Sequence, residues 1–592
     1  MTGLSRASDN LSAAIGLLMG LWRLGLQQVL LCPGSRSAPL ALAAGGLAER
    51  ELLTLTTAID ERSAAFHALG MAASSGRAAA VITTSGTAVA NLLPAAVEAD
   101  RSTLPLIFLT ADRPQRLKGC GANQTVNQED FLSSVCRLYC TGPADGLHLL
   151  TPSELGDLAS SAWNHTLSFP GPVHVNLPFE EPLHPSREEQ RQLWSGLSLR
   201  DLESCPLVRP QASCTVSAAD PFDCTRPGVV VAGPWRGLAD DLSSYQQALK
   251  ALVACTGWPV LADPLAAVPS DLPGVIRHWD LLLPASLTDA VPDLQVLRLG
   301  PLPASRRLES WLRHRGPGQL LITEGDPRCL DPLRLSRQLH CGLAAWWTVV
   351  SPESRMKRFA SKGVHAHWLQ ADQAVQHALD QQLPMTGAVT EPALMHAVSA
   401  LLPEGVPVML AASSPVRDWQ TFAAHDLGSR RCFSFRGASG IDGTLSIALG
   451  LARLQGTTLL ICGDLALQHD SNGWLLAGES STPLLVLLID NCGGGIFEQL
   501  PIPASSSAAF DQLFAMPQRL DPLALAAAHG VPGRQLTCLE DLPAAMEWGL
   551  AQGRPTLVRV STDRAGDAVL RRRLRDSLST TPVQARGGTT DS

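Results

Sequence analysis

The hydrophobic residues of this chain occur in short continuous runs, separated by longer stretches with helical spacing. Apolar runs of strand length that alternate with helical patterns predict β-α-β units, in which a parallel sheet is buried on both faces. Residues 1–185 show this alternation most clearly. The strands predicted there cover residues 28–32, 53–57, 79–83 and 104–110, and the predicted helices cover 40–49, 62–73 and 88–99.

The same alternation returns in two further blocks. Residues 186–225 are polar and contain several prolines, which is typical of a linker. Residues 226–353 form the second block, and a charged connector over 354–382 leads to the third block over 383–576. Residues 577–592 are rich in Thr, Gly and Ser, so we expect a disordered tail. The strands predicted in the two later blocks cover residues 228–232, 296–300, 320–323, 406–411, 458–462, 484–489 and 556–561.

The pattern therefore predicts an α/β protein with three doubly wound parallel-sheet domains. The length of 592 residues fits three or four domains. The net charge of −8 argues against a protein that binds nucleic acid. No apolar run reaches the ~18–20 residues that span a bilayer, and the N-terminal region lacks the layout of a signal peptide. We therefore expect a cytoplasmic protein that binds neither nucleic acid nor a membrane.

The common phosphate and metal motifs are absent from the sequence. There is no G-x-x-x-x-G-K-[ST] motif, no G-x-G-x-x-G between a predicted strand and helix, and no H-E-x-x-H. There is no C-x-x-C pair, and Cys136 and Cys140 lack a second cysteine pair at zinc-binding spacing. The sequence therefore gives no support to a Walker-type nucleotidase, a simple NAD enzyme or a zinc enzyme.

Two predicted strands of the third block end in residues that suit a metal ion. Gly463 and Asp464 follow one strand, and Asn491 and Gly493 follow the next, 27 residues after Asp464. This spacing is one β-α-β crossover, so these residues should meet at the carboxyl edge of the sheet, where such sheets bind ligands. A carboxylate, an amide oxygen and a glycine carbonyl suit Mg²⁺ that also binds phosphate. An unliganded strand-end Asp and a turn Asn remain the equally open alternative.

The spacing resembles that of thiamine diphosphate enzymes, whose motif is Gly-Asp-Gly followed one crossover later by Asn. Leu465 stands at the third position here, so this motif alone does not decide. Glu61, which opens a predicted helix in the first block, is the candidate for the carboxyl group that these enzymes place near N1′ of the aminopyrimidine. The alternative for Glu61 is an acid in a first helical turn, stabilised by the helix dipole.

Longer strings, spread over about residues 10–565, closely resemble the 2-succinyl-5-enolpyruvyl-6-hydroxy-3-cyclohexene-1-carboxylate synthase family. The family tolerates a residue other than Gly at the position of Leu465. The matching strings are CPGSRS from Cys32, TSGTAVAN from Thr84, TADRP from Thr110, CGANQ from Cys120, RGASGIDG from Arg436 and GGGIF from Gly493.

The resemblance implies three α/β domains of the thiamine diphosphate enzyme type. These are a pyrimidine-binding domain (1–185), a central domain (226–353) and a diphosphate-binding domain (383–576). It also implies the reaction: 2-oxoglutarate is decarboxylated on thiamine diphosphate, and the succinyl carbanion adds to isochorismate. This is a transferase step of menaquinone or phylloquinone biosynthesis, with Mg²⁺ or Mn²⁺ as the metal.

Roles for individual residues follow from the same resemblance. Glu61 is the catalytic acid. Asp464, Asn491 and Gly493 hold the metal. The other cofactor-binding residues are Gly463, Leu465, Ile441, Ile496 and Phe497, and the alternative for the last three is plain core packing. Ser413 and Arg417 hold the succinyl carboxylate, with Arg436 nearby. The residues expected to serve isochorismate are Ser35, Arg36, Arg113, Gln124, Arg306 and Arg307.

Other interpretations remain open at this point. Each arginine could instead form a surface or interface ion pair. The chain could be another thiamine diphosphate-dependent 2-oxo acid decarboxylase or carboligase, although a small apolar substrate would not need so many arginines. It could also be an inactive thiamine-binding or scaffold protein. In the related enzymes two subunits share each active site, so we expect a homodimer or a homotetramer.

Overall fold

The computed structural model describes residues 5–197, 223, 226–283, 294–350, 362–424, 430–477, 482–502 and 506–579. Within them the chain forms three six-stranded sheets, and every strand pairing in these sheets is parallel. The predicted fold class is therefore confirmed. No helix in the described ranges is both long and apolar enough to cross a membrane.

The first sheet has the strand order β2-β1-β3-β4-β6-β5. The four strands predicted in this block are confirmed, while β5 and β6 were not predicted. The prediction of one helix over 88–99 is wrong in one respect, because the structure has two helices, Thr87–Ala90 and Leu93–Ser102. The break lies just before Pro94, whose nitrogen cannot donate a helical hydrogen bond. The strands are β1 (Gln28–Leu31), β2 (Thr54–Thr57), β3 (Ala79–Thr83), β4 (Leu106–Asp112), β5 (Leu138–Thr141) and β6 (Pro172–Pro178), and the helices are Arg6–Leu24, Ala38–Ala48, Glu61–Ser75, Thr87–Ala90, Leu93–Ser102, Pro152–Ser168 and Arg187–Ser195.

The second sheet has the strand order β12-β11-β10-β7-β8-β9. The three strands predicted in this block correspond to β7, β10 and β11. The strands are β7 (Gly228–Ala232), β8 (Val260–Ala262), β9 (Val275–Ile276), β10 (Gln295–Leu299), β11 (Gln319–Ile322) and β12 (Ser336–Leu339), and the helices are Leu242–Thr256, Trp279–Leu282, Arg306–Arg315 and Leu343–Val349.

The third sheet has the strand order β14-β13-β15-β16-β18-β17, so the two strands that precede Asp464 and Asn491 are neighbours. All seven residues of β16 are buried, as expected for a central strand of a parallel sheet. The strands are β13 (Val408–Leu410), β14 (Cys432–Phe433), β15 (Thr458–Gly463), β16 (Leu484–Asp490), β17 (Gly533–Leu536) and β18 (Thr556–Ser561). The helices are Lys362–Gln382, Glu391–Leu401, Ser414–Phe422, Thr444–Gln455, Asp464–His469, Trp474–Ala477, Ser507–Phe510, Pro522–Ala528, Leu542–Leu550 and Arg564–Ser579.

Helices occupy parts of the segments that we predicted to be a linker, a connector and a tail. The helix Arg187–Ser195 lies in the linker segment and packs Trp194 against Gly46 and Arg50 of the first block. The helix Lys362–Gln382 occupies much of the connector segment. One face of this helix, which includes Trp368, packs into a buried apolar cluster. The last helix continues through Ser579. The rest of the predicted tail, and most of the linker, lie outside the described residues.

Two glycines bring the first and third blocks into close contact. The helix Glu61–Ser75 packs along Thr444–Gln455. A Cβ atom on Gly70 would lie 2.2 Å from the carbonyl oxygen of Ile447, and one on Gly450 would lie 2.1 Å from that of His67. Only glycine permits this approach of two helix backbones. The contact sets how the predicted pyrimidine-binding block lies on the predicted diphosphate-binding block of the same chain.

Candidate active site

Asp464 lies at the carboxyl end of β15, as the first residue of a short helix. Its Oδ1 accepts a hydrogen bond from the backbone N–H of Leu465 at 2.8 Å, and its Oδ2 accepts one from Gly493 at 2.7 Å. Burial raises the pKa of Asp464 to about 6, and the neighbouring carboxylates of Asp490 and Glu391 contribute to the rise. A cation beside this carboxylate would offset both effects.

Asn491 follows β16, and only the NH₂ group of its side-chain amide has a hydrogen-bond partner. The Nδ2 group donates to Oε1 of Glu391 at 2.7 Å. The Oδ1 atom is buried and has no hydrogen-bond partner. A buried amide oxygen without a partner costs about 1–3 kcal/mol. Such an oxygen is therefore suited to a ligand that the protein itself does not supply, such as a hard cation.

The turn after Asn491 requires glycine at Gly493. The φ angle of Gly493 is 119°, and a Cβ atom there would lie 2.0 Å from the carbonyl oxygen of Ala515. The turn brings the backbone N–H of Gly493 against the Asp464 carboxylate, while its carbonyl oxygen accepts from the N–H of Gly495 at 2.9 Å. In the described ranges no three His, Cys, Asp or Glu side chains cluster as a metal site. The oxygen set of one carboxylate, one amide and one backbone carbonyl fits Mg²⁺ or Mn²⁺.

The predicted apolar wall of the cofactor site lies on two loops of the third block. Ile496 and Phe497 belong to a short 3₁₀ helix (Gly495–Gln499), and the Phe497 ring lies 5.9 Å from that of Phe514. Ile441 is half-buried. It precedes Gly443, at which a Cβ atom would overlap the Phe66 ring from the first block. Half-buried apolar side chains such as these three are what an organic cofactor would cover.

Glu61 is the first residue of the helix Glu61–Ser75, as predicted. Asp60 caps this helix by accepting from the N–H of Arg62 at 2.8 Å. The Oε2 atom of Glu61 accepts from Nδ2 of Asn91 at 3.5 Å. Asn91 lies within a matching string, yet we did not assign it a role from the sequence. Ile59, two residues before Glu61, exposes 80% of its surface.

No hydrogen bond or ion pair between described residues of one chain joins Glu61 to Asp464 or Asn491. Within one chain the two predicted halves of the cofactor site are therefore not joined by such bonds between these residues, although Asp60 and Arg62 beside Glu61 bond to Asn472 and His469 of the third block.

Arg36, Arg113 and Gln124 gather near the carboxyl ends of the first sheet. Arg113 donates to the carbonyl oxygen of Gln124 at 2.7 Å. Burial lowers the pKa of Arg113, and the positive charge of Arg36 lowers it further, which places the two guanidinium groups close together. Arg36 itself donates to Oε1 of Glu181 at 3.0 Å. Ser35 is exposed on the loop before Arg36.

Arg417 and Arg436 form a second cationic pair. Ser413, with φ of 75°, precedes the helix Ser414–Phe422, and its carbonyl oxygen accepts from Nη1 of Arg417 at 2.5 Å. Burial lowers the pKa of Arg417, and the charge of Arg436 lowers it further. Neither arginine forms an ion pair with a described carboxylate. Two neighbouring guanidinium groups in this state are suited to a ligand carboxylate.

Arg306 and Arg307 begin the helix Arg306–Arg315. Arg306 is exposed, whereas Arg307 donates to the carbonyl oxygen of Asp280 at 3.1 Å. Burial lowers the pKa of Arg575, and Asp280, Asp418 and Arg307 all act on it electrostatically. Arg307 therefore lies beside the last helix, where it also donates to Oγ of Ser579 at 3.4 Å. No contact among the described residues brings it to the cluster of Arg36 and Arg113.

Comparison with known proteins defines the class. Residues 13–131 match the N-terminal TPP binding domain of thiamine pyrophosphate enzymes, and residues 419–560 match their C-terminal TPP binding domain. Residues 208–408 match a family described as the middle domain of thiamine pyrophosphate. With the oxygen set at the edge of the third sheet, these matches make the chain a thiamine pyrophosphate enzyme.

Full-length relatives define the family within that class. The chain is 62% identical to a 2-succinyl-5-enolpyruvyl-6-hydroxy-3-cyclohexene-1-carboxylate synthase of Synechococcus sp. (strain WH7803), over 97% of this chain and 100% of that protein. It is 58% identical to the synthase of Prochlorococcus marinus (strain MIT 9313), over 94% of this chain and 97% of that protein. The chain belongs to the 2-succinyl-5-enolpyruvyl-6-hydroxy-3-cyclohexene-1-carboxylate synthase family.

Proposed function

We propose that this protein decarboxylates 2-oxoglutarate and transfers the remaining four-carbon unit to isochorismate. The products are CO₂ and 2-succinyl-5-enolpyruvyl-6-hydroxy-3-cyclohexene-1-carboxylate, in the cytoplasmic synthesis of menaquinone or phylloquinone. The observation that carries the proposal, in a chain of this family, is the neighbouring pair Arg417 and Arg436, neither of which forms an ion pair with a carboxylate among the described residues. A 2-oxo acid with a second, distal carboxylate is the substrate that such a pair would select.

Thiamine diphosphate, when bound, supplies the electron sink for the decarboxylation. Asp464, Asn491 and the Gly493 carbonyl would hold Mg²⁺ or Mn²⁺, which would supply positive charge to offset that of the diphosphate. The residues that would surround the rest of the cofactor are Gly463, Leu465, Ile441, Ile496 and Phe497.

The chain's own residues position the reactants and one proton. Glu61 would share a proton with N1′ of the aminopyrimidine, because a carboxyl group can both accept and donate at that atom. Ser413 and Arg417 would hold the distal carboxylate of 2-oxoglutarate, with Arg436 beside it. Isochorismate also carries two carboxylates. The residues that would receive it are Ser35, Arg36, Arg113, Gln124, Arg306 and Arg307.

The reaction is tested by incubating the purified protein with 2-oxoglutarate, isochorismate, Mg²⁺ and thiamine diphosphate. We expect the absorbance of isochorismate to fall only when all four are present. Replacing 2-oxoglutarate by pyruvate is the control, and we expect it to release little CO₂. Preferential release of CO₂ from pyruvate would instead indicate another thiamine diphosphate-dependent decarboxylase or carboligase.

The metal site is tested with Asp464→Ala. Removing the only carboxylate of the proposed ligand set should abolish Mg²⁺-dependent retention of thiamine diphosphate, measured by calorimetry. Asp521→Ala is a matched control, because Asp521 is exposed in the same block. An unchanged cofactor affinity in Asp464→Ala would refute the metal assignment.

We also propose that each active site is built from two chains, in a homodimer or a homotetramer. Glu61 and the Arg36–Arg113 cluster lie on the first block, and Asp464, Arg417 and Arg436 on the third. The exposure of Ile59 beside Glu61 supports a second chain at this surface, since a large aliphatic group is better placed at an interface.

Co-expression of differently tagged Glu61→Gln and Asp464→Ala chains tests this arrangement. Each variant alone should be inactive. Random mixing makes about half of the dimers mixed, and each mixed dimer has one site with both residues intact and one site with neither. About a quarter of the wild-type sites should therefore be restored. Purified mixed dimers with no activity above that of the single variants would contradict a shared site.

A further inference from the structure

A buried network of charged side chains lies directly behind Asn491. Arg571, at the centre of this network, donates through Nε to Oδ1 of Asp418 at 2.9 Å and through Nη2 to Oε2 of Glu391. The side chains of Arg571, Glu391 and Asp418 expose no more than 2% of their surfaces. The backbone N–H of Glu391 donates to Oδ1 of Asp567 at 3.2 Å. The network therefore joins two consecutive helices, Glu391–Leu401 and Ser414–Phe422, to the last helix, Arg564–Ser579.

Both carboxylate oxygens of Glu391 are used, and each faces a different partner. Oε2 receives the guanidinium group of Arg571, whereas Oε1 receives Nδ2 of Asn491 at 2.7 Å. Thr562 also donates to Oε1, at 3.4 Å. The guanidinium group of Arg571 is only a donor, and the hydroxyl of Thr562 donates to Oε1, so both oxygens of Glu391 act as acceptors here. The amide group that faces Glu391 must therefore be the NH₂ end of Asn491.

The hydrogen bond to Glu391 also fixes the position of the amide oxygen of Asn491. With Nδ2 bound to Glu391, Oδ1 of Asn491 lies on the opposite side, where it is buried and has no protein partner. If the amide turned over, its oxygen would face the Glu391 carboxylate and two acceptors would be opposed. That arrangement leaves buried polar groups unsatisfied, so the network admits only one orientation.

We propose that Glu391 is a positioning residue that holds the Asn491 amide with Oδ1 turned towards the divalent cation. The inference rests on the metal site described above and extends it to a residue that never touches the ion. Outer partners of metal ligands fix the orientation of those ligands, and their loss weakens metal affinity about 10–100-fold. Glu391 is 100 residues from Asn491 and belongs to none of the matching strings.

The test uses Glu391→Gln in the full-length protein. Glutamine keeps the size of the side chain, but its amide offers an oxygen at one end and NH₂ at the other, so the single orientation of Asn491 is lost. We expect the apparent affinity for Mn²⁺ in the presence of thiamine diphosphate to fall about 10–100-fold. Free Mn²⁺ is measured by electron paramagnetic resonance, which does not depend on turnover.

Asp418→Asn is the matched control within the same network. It removes a carboxylate from Arg571 but leaves the hydrogen bond between Glu391 and Asn491 in place, so Mn²⁺ affinity should change less than about twofold. Equal losses of Mn²⁺ affinity in Glu391→Gln and Asp418→Asn would overturn the proposal, because the effect would then be one of general stability. Wild-type affinity in Glu391→Gln would overturn it as well.

Two further variants separate this proposal from the metal site itself. In an Asn491→Ala background, adding Glu391→Gln should cost no further Mn²⁺ affinity, and an additional tenfold loss would contradict action through Asn491. If Asp464→Ala retained full Mn²⁺ affinity, the metal site and this inference would both fail. If Glu391→Gln does not fold, Glu391→Asp is used instead. Its shorter side chain keeps a carboxylate for Arg571 but no longer reaches Asn491, so we expect the same loss of Mn²⁺ affinity, about 10–100-fold.

Discussion

The carboxylate of Glu98 in the first block accepts a hydrogen bond from the backbone N–H of Gly437 in the third, at 2.7 Å. Its second oxygen accepts from the N–H of Ala438, also at 2.7 Å. Glu98 exposes only 4% of its surface. Because Gly437 directly follows Arg436, this buried contact holds the loop that presents a proposed substrate-binding arginine.

Glu98→Gln should therefore impair the binding of 2-oxoglutarate. The glutamine side chain has one acceptor oxygen for two N–H groups, and leaving one unsatisfied costs about 1–3 kcal/mol. We expect the KM for 2-oxoglutarate to rise about tenfold while the affinity for thiamine diphosphate stays unchanged. Steady-state kinetics and calorimetry measure the two quantities. Glu547→Gln, on an exposed helix face, serves as the control. A fall in cofactor affinity as large as the rise in KM would argue against a local effect on Arg436.

Glu61→Gln should reduce turnover without releasing the cofactor. A positioned acid or base typically contributes about 10²–10⁴-fold to the rate, and glutamine cannot exchange the proton. Calorimetry should show that the affinity for thiamine diphosphate changes only a few-fold. Glu188→Gln is a matched control, since Glu188 is exposed and contacts only Arg191 and Gln192 of its own helix among the described residues. Unchanged turnover in Glu61→Gln would show that the proposed mechanism is wrong.

Arg417→Ala should affect the oxo acid more than the cofactor. Loss of a charge-assisted hydrogen bond to a carboxylate costs about 1.5–3 kcal/mol, so the KM for 2-oxoglutarate should rise about 10–100-fold. The affinity for thiamine diphosphate should change little. Arg519→Ala, at an exposed position of the same block, should leave both quantities at wild-type values. Equal losses in substrate and cofactor binding would contradict the assigned role.

Asp263→Asn should stabilise the protein as the pH rises. Burial raises the pKa of Asp263 from 3.8 to about 6, although a hydrogen bond from the Leu265 N–H and the charge of Arg436 limit the rise. The folded protein therefore holds this proton more tightly than the unfolded chain. The stability that protonation contributes is present below pH 3.8 and is lost as the pH rises through about 6.

The asparagine variant does not ionise and avoids this loss. Relative to the wild type, its unfolding free energy should rise by about 1 kcal/mol between pH 5 and pH 8. Urea unfolding at the two pH values measures the difference. Asp145→Asn, at an exposed position, should show no such gain. A gain for Asp263→Asn that is the same at both pH values would contradict the predicted linkage.

Much of the fold could be predicted because its signals are local. The limits of β3 and β18 agree with the apolar runs that predicted them, and β15 differs by one residue. The proximity of Asp464 and Gly493 could also be anticipated, since neighbouring parallel strands bring their carboxyl ends to one edge. The helix Arg187–Ser195 was missed because its polar composition, on an exposed helix, resembles that of a linker.

By itself, the sequence determined the three α/β blocks, the family and the residues that the matching strings contain. Hydrophobic periodicity and short motifs depend on residues close together along the chain, so they can be read without coordinates. Only the tertiary structure decided that Glu391 orients Asn491 and that Glu98 holds the loop after Arg436. These partners lie 100 and 339 residues apart, and no local pattern marks them. Each pair forms because a buried polar group needs a hydrogen-bond partner, and folding brings together groups that are far apart along the chain.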